Sequence, residues 1–91
     1  MDSGSIDRRP FYVCSMILAY VLVKMKTSDE EGLVEDMVNS MYVHDVHVLF
    51  GEWDVIVECE LESSQEVAQF VIDELRSRDD VSLTSTLLVA K

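Results

Sequence analysis

Residues 18–25 form an almost wholly apolar, β-prone run that is divided between two faces with a period of two, which predicts a β-strand near the start of the chain. Both faces of this strand carry large apolar side chains. One face presents Ala19, Val21, Val23 and Met25, and the opposite face presents Leu18, Tyr20, Leu22 and Lys24. Both faces of this predicted strand are therefore suited to packing.

The pattern then changes to helical spacing. Ser28 followed by Glu31 has the form of a capping box, which predicts that a helix opens at Ser28. An i, i+3, i+4, i+7 stripe follows, formed by Val34, Met37, Val38 and Met41. We interpret its methionines as flexible core filler rather than as a metal or cofactor site.

Two further β-prone runs, residues 43–50 and 53–60, meet at Gly51-Glu52. Glycine at the first central position of a two-residue loop is typical of a type II′ turn. The runs therefore predict a tight hairpin, and Asp54 follows the turn closely.

A second helix is predicted from Ser63, again with a glutamate, Glu66, three residues later. Its apolar stripe consists of Val67, Phe70, Val71 and Leu75. Arg76 and Arg78 fall at its end, where cations suit the helix dipole. The acidic pair Asp79-Asp80 predicts a turn, and residues 81–90 predict the last strand.

The predicted order β-α-β-β-α-β is that of the ferredoxin-like α+β fold, a four-stranded antiparallel sheet with two helices on one face. The other face would carry Tyr20, Leu22, Ile56 and one of two rows of the last strand. Those rows are Thr84/Thr86/Leu88 and Ser85/Leu87/Val89. Such an apolar face predicts face-to-face packing of two sheets, giving a homodimer with a dimeric α+β barrel.

The 91 residues carry 18 acidic and 7 basic side chains, a formal net charge of −11. This charge disfavours direct nucleic-acid binding and anionic membranes, and a basic protein remains a possible partner. The apolar stretch 11–23 is too short for a membrane span. We therefore expect a cytoplasmic protein.

The chemistry-bearing residues form no recognisable catalytic or metal-binding set. The two cysteines and two histidines lack zinc-site spacing, and no nucleophile elbow, phosphate loop or CxxC motif occurs. We expect no metal and no cofactor, and Cys59 is interpreted as a small buried thiol.

Three segments together resemble the effector-binding domain of the Lrp/AsnC family, also called the RAM domain. They are residues 19–24 (AYVLVK), residues 50–57 (FGEWDVIV) and residues 85–89 (STLLV). The resemblance covers residues 18–91, and residues 1–17 are interpreted as an N-terminal extension. Trp53 departs from the family's commoner Tyr or Phe. Because 17 residues are too few for a helix-turn-helix domain, we expect a stand-alone RAM domain.

The resemblance implies a non-enzymatic module of transcription regulation that senses an amino acid. It also implies homodimers that assemble further, often into rings of four dimers, with the effector between dimers. Backbone N–H groups of Gly51, Glu52 and Trp53 would hold the effector's α-carboxylate. Asp54 would accept a hydrogen bond from the effector's α-ammonium group. Thr84 and Thr86 would contribute hydroxyl groups to the site. Mixed assembly with full-length Lrp/AsnC regulators is a further expectation.

Other interpretations of these residues stay open. Asp54 could only accept a local backbone hydrogen bond in the hairpin. Gly51 could be required only by the turn, and Trp53 could be an anchor in an interface or in the core. A small dimeric α+β barrel enzyme, such as a monooxygenase or isomerase, has the same element order. It would need a polar pocket between sheet and helices, against which the apolar helix stripes argue. A purely structural oligomer is the third possibility.

Overall fold

The computed structural model describes residues 16–90, so most of the predicted extension lies outside the described part. The predicted order of elements is confirmed. The strands are β1 (Ile17–Met25), β2 (Val43–Val48), β3 (Val55–Leu61) and β4 (Val81–Leu88). The helices are α1 (Glu31–Val38) and α2 (Ser64–Phe70), and α2 continues as a π-helical segment, Val71–Arg76. Strand β1 begins at Ile17, one residue before the predicted start of the first strand.

The four strands form one antiparallel sheet in the order β2-β3-β1-β4. The central strand β1 pairs with β3 from Ile17↔Leu61 to Val23↔Val55. Its other edge pairs with β4, and this ladder is irregular between Lys24 and Met25. Together with the two helices, this is the predicted ferredoxin-like α+β architecture.

The core lies between one face of the sheet and the helices. Strand alternation is confirmed, because Ala19, Val21 and Val23 of β1 are fully buried. The fully buried residues of β3 are Val55, Val57 and Cys59. None of the buried side chains within residues 16–90 is polar or charged. Hydrophobic burial is thus the main stabilising contribution of this layer.

Helix α1 differs from its prediction. It begins at Glu31 after Glu30, no side chain caps it, and Ser28 lies outside it. Leu33 and Met37 are its buried residues, whereas Val38 is 64% exposed. Because α1 ends at Val38, the predicted stripe cannot continue to Met41, which is 87% exposed.

An ion-pair network fixes α1 to the turn before β4. Arg78 binds Asp36 of α1, and its Nε donates to Asp80 Oδ1 at 3.0 Å. The hydrogen bond that Arg78 donates to Asp80 is the largest cause of the raised pKa of Arg78, and Asp36 adds to it. The same hydrogen bond lowers the pKa of Asp80 below its usual range. Both acidic partners therefore favour a permanently charged Arg78.

Helix α2 follows its prediction. Ser63 is extended and its Oγ accepts a hydrogen bond from the Glu66 N–H at 3.1 Å. The stripe of Val67, Phe70, Val71 and Leu75 is buried. Beyond Phe70 the helix widens, and the Ser77 N–H donates to the Ile72 carbonyl at 3.1 Å. This π-helical segment keeps both Val71 and Leu75 against the sheet.

The register of β4 decides which of its rows shares the open face of the sheet. Tyr20 pairs with Leu87, and Leu22 pairs with Ser85. Since paired residues of antiparallel strands project to the same face, the Ser85/Leu87 row lies on the open face. Thr84 and Thr86 lie on the face that the helices cover.

Candidate functional site

The β2–β3 connection is longer than the predicted two-residue turn. The ladder ends at Val48↔Val55, and the Leu49 N–H donates to the Asp54 carbonyl at 2.8 Å, leaving residues 50–53 as the loop. The type II′ prediction is therefore wrong. Gly51 has a φ of 140°, which a side chain rarely adopts. Apart from Gly51 and its two neighbours in the chain, no heavy atom of the described residues 16–90 lies within 4 Å of the position that a Cβ would occupy there. Glycine is thus required by the loop's backbone rather than by a tight turn.

Asp54 joins this loop to β1. Its N–H donates to the Val23 carbonyl at 2.9 Å, and its carboxylate Oδ2 accepts from the Met25 N–H at 2.7 Å. The carboxylate thereby replaces a backbone acceptor where the β1–β3 ladder ends. The Nζ of Lys24 donates to the Glu52 carbonyl at 2.9 Å. Three hydrogen bonds with β1 therefore position the loop, and the structural interpretation of Asp54 is part of its role.

The loop also presents aromatic surface. Trp53 is half-buried, whereas Phe50 at the loop's start is fully exposed. Sequence reasoning considered Trp53 and passed over Phe50, although an aromatic residue directly before a loop glycine was a usable signal. A fully exposed phenyl ring on a loop is suited to contact with another molecule.

Thr84 and Thr86 lie apart from the loop. They line a groove of about 380 Å³ between α2 and β4, and none of residues 50–54 lines it. Its other lining residues are Ser64, Val67, Ala68, Val71, Ile72, Arg76 and Leu88. Strand β1 separates β4 from β3, to which the loop is attached. The predicted six-residue site is therefore divided between two regions of the chain.

Arg76 is the charged residue of the groove, and sequence reasoning did not assign it to a site. It also lines an adjoining depression of about 350 Å³ with Val81, Ser82, Leu83 and Thr84. Its position at the end of the second helix predicted only an interaction with the helix dipole. That it stands beside two threonines follows from the packing of α2 against β4.

The remaining chemistry-bearing groups pair locally. His44 Nε2 lies 2.7 Å from Glu60 Oε1, and His47 Nε2 lies 3.0 Å from Asp45 Oδ2. Burial, and secondarily the charge of Glu58, raises the pKa of the Cys59 thiol to about 11. Within residues 16–90, no cluster of three or more such groups could hold a metal ion.

Across the described residues 16–90, neither length nor hydropathy allows any helix to traverse a bilayer.

Comparison with known proteins identifies the class. Residues 18–91 match the model of the Lrp/AsnC ligand binding domain, and the chain belongs to this family. An uncharacterised HTH-type transcriptional regulator of Pyrococcus abyssi is 26% identical over 96 residues, covering 97% of this chain and 64% of that protein. The chain spans between about half and two thirds of the curated relatives it matches. The matched relatives are all named as uncharacterised HTH-type transcriptional regulators.

Solved structures agree with this fold. The crystal structure of TTHA0845 from Thermus thermophilus superposes with a TM-score of 0.76 at 25% identity, covering 82% of this chain and 94% of that one. A transcriptional regulator of Neisseria meningitidis in complex with L-Met superposes with a TM-score of 0.78 at 19% identity. That match covers 100% of this chain and 60% of the regulator, and it supports the fold alone.

Proposed function

We propose that this chain is a ligand-binding and assembly module of transcription regulation, which binds a free amino acid and changes its assembly in response. Membership of the Lrp/AsnC ligand-binding family supports this function. The L-Met complex of the Neisseria regulator supports an amino acid as the class of ligand. Residues 18–91, to which the family model applies, would be the functional domain.

The observation that carries the proposal is the geometry of Asp54 in the loop. Within the described residues its carboxylate accepts one hydrogen bond, from Met25 to Oδ2, so Oδ1 is left to accept from an ammonium group. The open space around Gly51 allows a ligand to approach the backbone closely. N–H groups of Gly51, Glu52 and Trp53 would then donate to the α-carboxylate. Both ends of a zwitterion would have charge-assisted partners.

The proposed ligand lies between two dimers. Phe50 is fully exposed at the loop, which supports a second molecule as the other wall of the site. Thr84 and Thr86 lie across β1 from the loop of their own chain. Their hydroxyls would contact this ligand only when they come from a different copy.

Dimers would form through the open face of the sheet. Tyr20, Leu22 and Ile56 lie there, and Leu87 is 53% exposed on the same face. Packing two such faces together would remove this apolar surface from water. A ring of dimers, and mixed assembly with full-length regulators through the same interfaces, are the further steps of this proposal.

The test uses light scattering and thermal melting with each proteinogenic amino acid in turn. We expect one of them to raise the melting temperature and to change the mass of the assembly. Asp54→Asn keeps an oxygen for the Met25 N–H but removes the charge that receives an ammonium group. It should weaken the response by about tenfold or more.

Asp29→Asn is the matched control, because it makes the same chemical change at an exposed residue outside the loop. It should respond as the unmodified chain does. A mass and a melting temperature that no amino acid changes would contradict amino-acid sensing and favour a structural oligomer.

A further inference from the structure

Strand β1 holds the two peptide units that flank Trp53 in the β2–β3 loop. On the C-terminal side of Trp53, the Asp54 N–H donates to the Val23 carbonyl at 2.9 Å. On the N-terminal side, the Glu52 carbonyl accepts from the Nζ of Lys24, also at 2.9 Å. The first of these bonds comes from the backbone of β1 and the second from a side chain. The second can therefore be removed by substitution without breaking the strand pairing.

The bond from Lys24 sets the direction of one backbone donor. The carbonyl of Glu52 and the N–H of Trp53 belong to the same peptide unit. No peptide bond within residues 16–90 is cis, and in a planar trans unit these two groups point in opposite directions. Holding the Glu52 carbonyl toward Lys24 therefore aims the Trp53 N–H away from Lys24.

This N–H is available to a ligand. Among the described residues 16–90, no group accepts a hydrogen bond from it. The Trp53 side chain is half-buried, which helps to fix the residue that carries the donor. A donor that is already aimed binds an anion without first paying the entropy of ordering the loop.

The charge of Lys24 strengthens the same donor. A hydrogen bond from an ammonium group to a carbonyl polarises the peptide unit, so its N–H becomes a better donor. The loop needs this help, because the carboxylates of Glu52 and Asp54 lie next to the donor in sequence and would repel an anionic group.

Lys24 itself lies on the other side of the peptide unit from the donor that it aims. It pairs with Leu83 of β4, and strand alternation places its side chain on the open face of the sheet with Tyr20 and Leu22. A ligand bound to the Trp53 N–H would therefore be held by Trp53 and not by Lys24.

We propose that Lys24 is a positioning residue of the amino-acid site at the loop: by holding the Glu52 carbonyl, it aims the Trp53 N–H at the ligand's α-carboxylate. This inference rests on the proposed function for the place of the ligand. It divides recognition between two residues of the chain. Lys24 acts on the carboxylate end through Trp53, whereas Asp54 accepts from the ammonium end.

The test separates the two ends of an amino acid. Acetate carries the carboxylate alone, and methylammonium carries the ammonium group alone. Each is added to the full chain at constant ionic strength while backbone amide NMR signals are followed. We expect acetate to move the Trp53 amide proton downfield in a saturable way. Methylammonium should instead shift the Met25 amide, which donates to the Asp54 carboxylate.

Lys24→Met removes the ammonium group while keeping the approximate length of the side chain. The affinity for acetate should fall by about fivefold or more, and the affinity for methylammonium should not fall. A purely structural role in ordering the loop would weaken both. Lys26→Met is the matched control, since it makes the same change at an exposed residue just beyond β1. It should leave the acetate affinity unchanged.

Three results would overturn the role of Lys24. They are a Trp53 amide that acetate does not shift, equal losses of acetate affinity in Lys24→Met and Lys26→Met, and a Lys24→Met chain that loses acetate and methylammonium affinity alike. Amino-acid sensing is judged separately, by the light scattering and melting experiments on the unmodified chain. An acetate response that depends on Lys24, without any amino-acid response, would contradict sensing but support the positioning role.

Discussion

The two helices begin with the same local signal but form in different ways. Ser28 and Glu31 precede α1 as Ser63 and Glu66 precede α2. Ser63 caps its helix, with the Glu66 N–H bound to its Oγ at 3.1 Å. Ser28 takes no such role, and α1 begins without a side-chain cap. A capping motif is therefore not sufficient by itself to start a helix.

The path of the chain explains this difference. Strand β3 ends at Leu61 and α2 begins at Ser64, so Ser63 is still extended, with φ −148° and ψ 162°. That is the backbone conformation an N-cap residue needs. Residues 26–30 separate β1 from α1, and there Thr27 Oγ1 accepts from the Asp29 N–H at 3.3 Å. Helix α1 is held instead by Leu33, Met37 and the ion pair of Asp36 with Arg78.

The largest expected difference concerns the buried stripes. Leu75 is fully buried, so Leu75→Ala should lower the free energy of unfolding by about 2–5 kcal/mol. Val38 was predicted to be buried but is 64% exposed, and Val38→Ala should change stability by less than about 0.5 kcal/mol. Urea denaturation of both variants measures the two changes in the free energy of unfolding. A large loss for Val38→Ala would mean that the assembled protein buries the end of α1.

The helix caps give a smaller difference. Ser63→Ala removes the hydroxyl that accepts the Glu66 N–H and should cost about 1 kcal/mol of stability. Ser28→Ala is the control with the same chemical change, and its effect should stay below about 0.5 kcal/mol. The same denaturation experiment measures both. Equal costs at the two serines would show that Ser28 caps α1 in solution.

The smallest expected effect is the pH dependence of the network around Arg78. Arg78 lowers the pKa of Asp80 below its ordinary value of 3.8. The stabilisation that ionised Asp80 gains from Arg78 is complete above pH 3.8. It is lost as the pH falls through the pKa of Asp80 in the folded protein. Arg78 stays charged throughout, because its own pKa is raised. Asp80→Asn should therefore lose less stability on acidification than the unmodified chain, as melting temperatures above and below pH 3.8 would show. Identical acid losses would exclude this contribution.

The candidate site shows the same division between local and long-range information. The Gly51-Glu52-Trp53-Asp54 motif predicted where the chain turns between β2 and β3, because turn-forming residue types are a local signal. The bond from Met25 to Asp54 joins residues 29 apart in sequence, and only the pairing of β1 with β3 reveals it. Likewise, Arg76 joins Thr84 and Thr86 in one groove only because α2 packs against the edge strand.

The sequence by itself determined the element order, the buried face of β1 and the stripe of α2, since these depend on local periodicity and on neighbouring residues. The tertiary structure alone decided the length of the β2–β3 loop, the start of α1 and the face on which Thr84 lies. The start of α1 depends on the path of the chain after β1. The loop length and the face of Thr84 depend on strand register, and a shift of one residue moves every side chain of a strand to the opposite face. The alternation of residues 81–90 defines two rows, but only the pairing with β1 shows which row faces the helices.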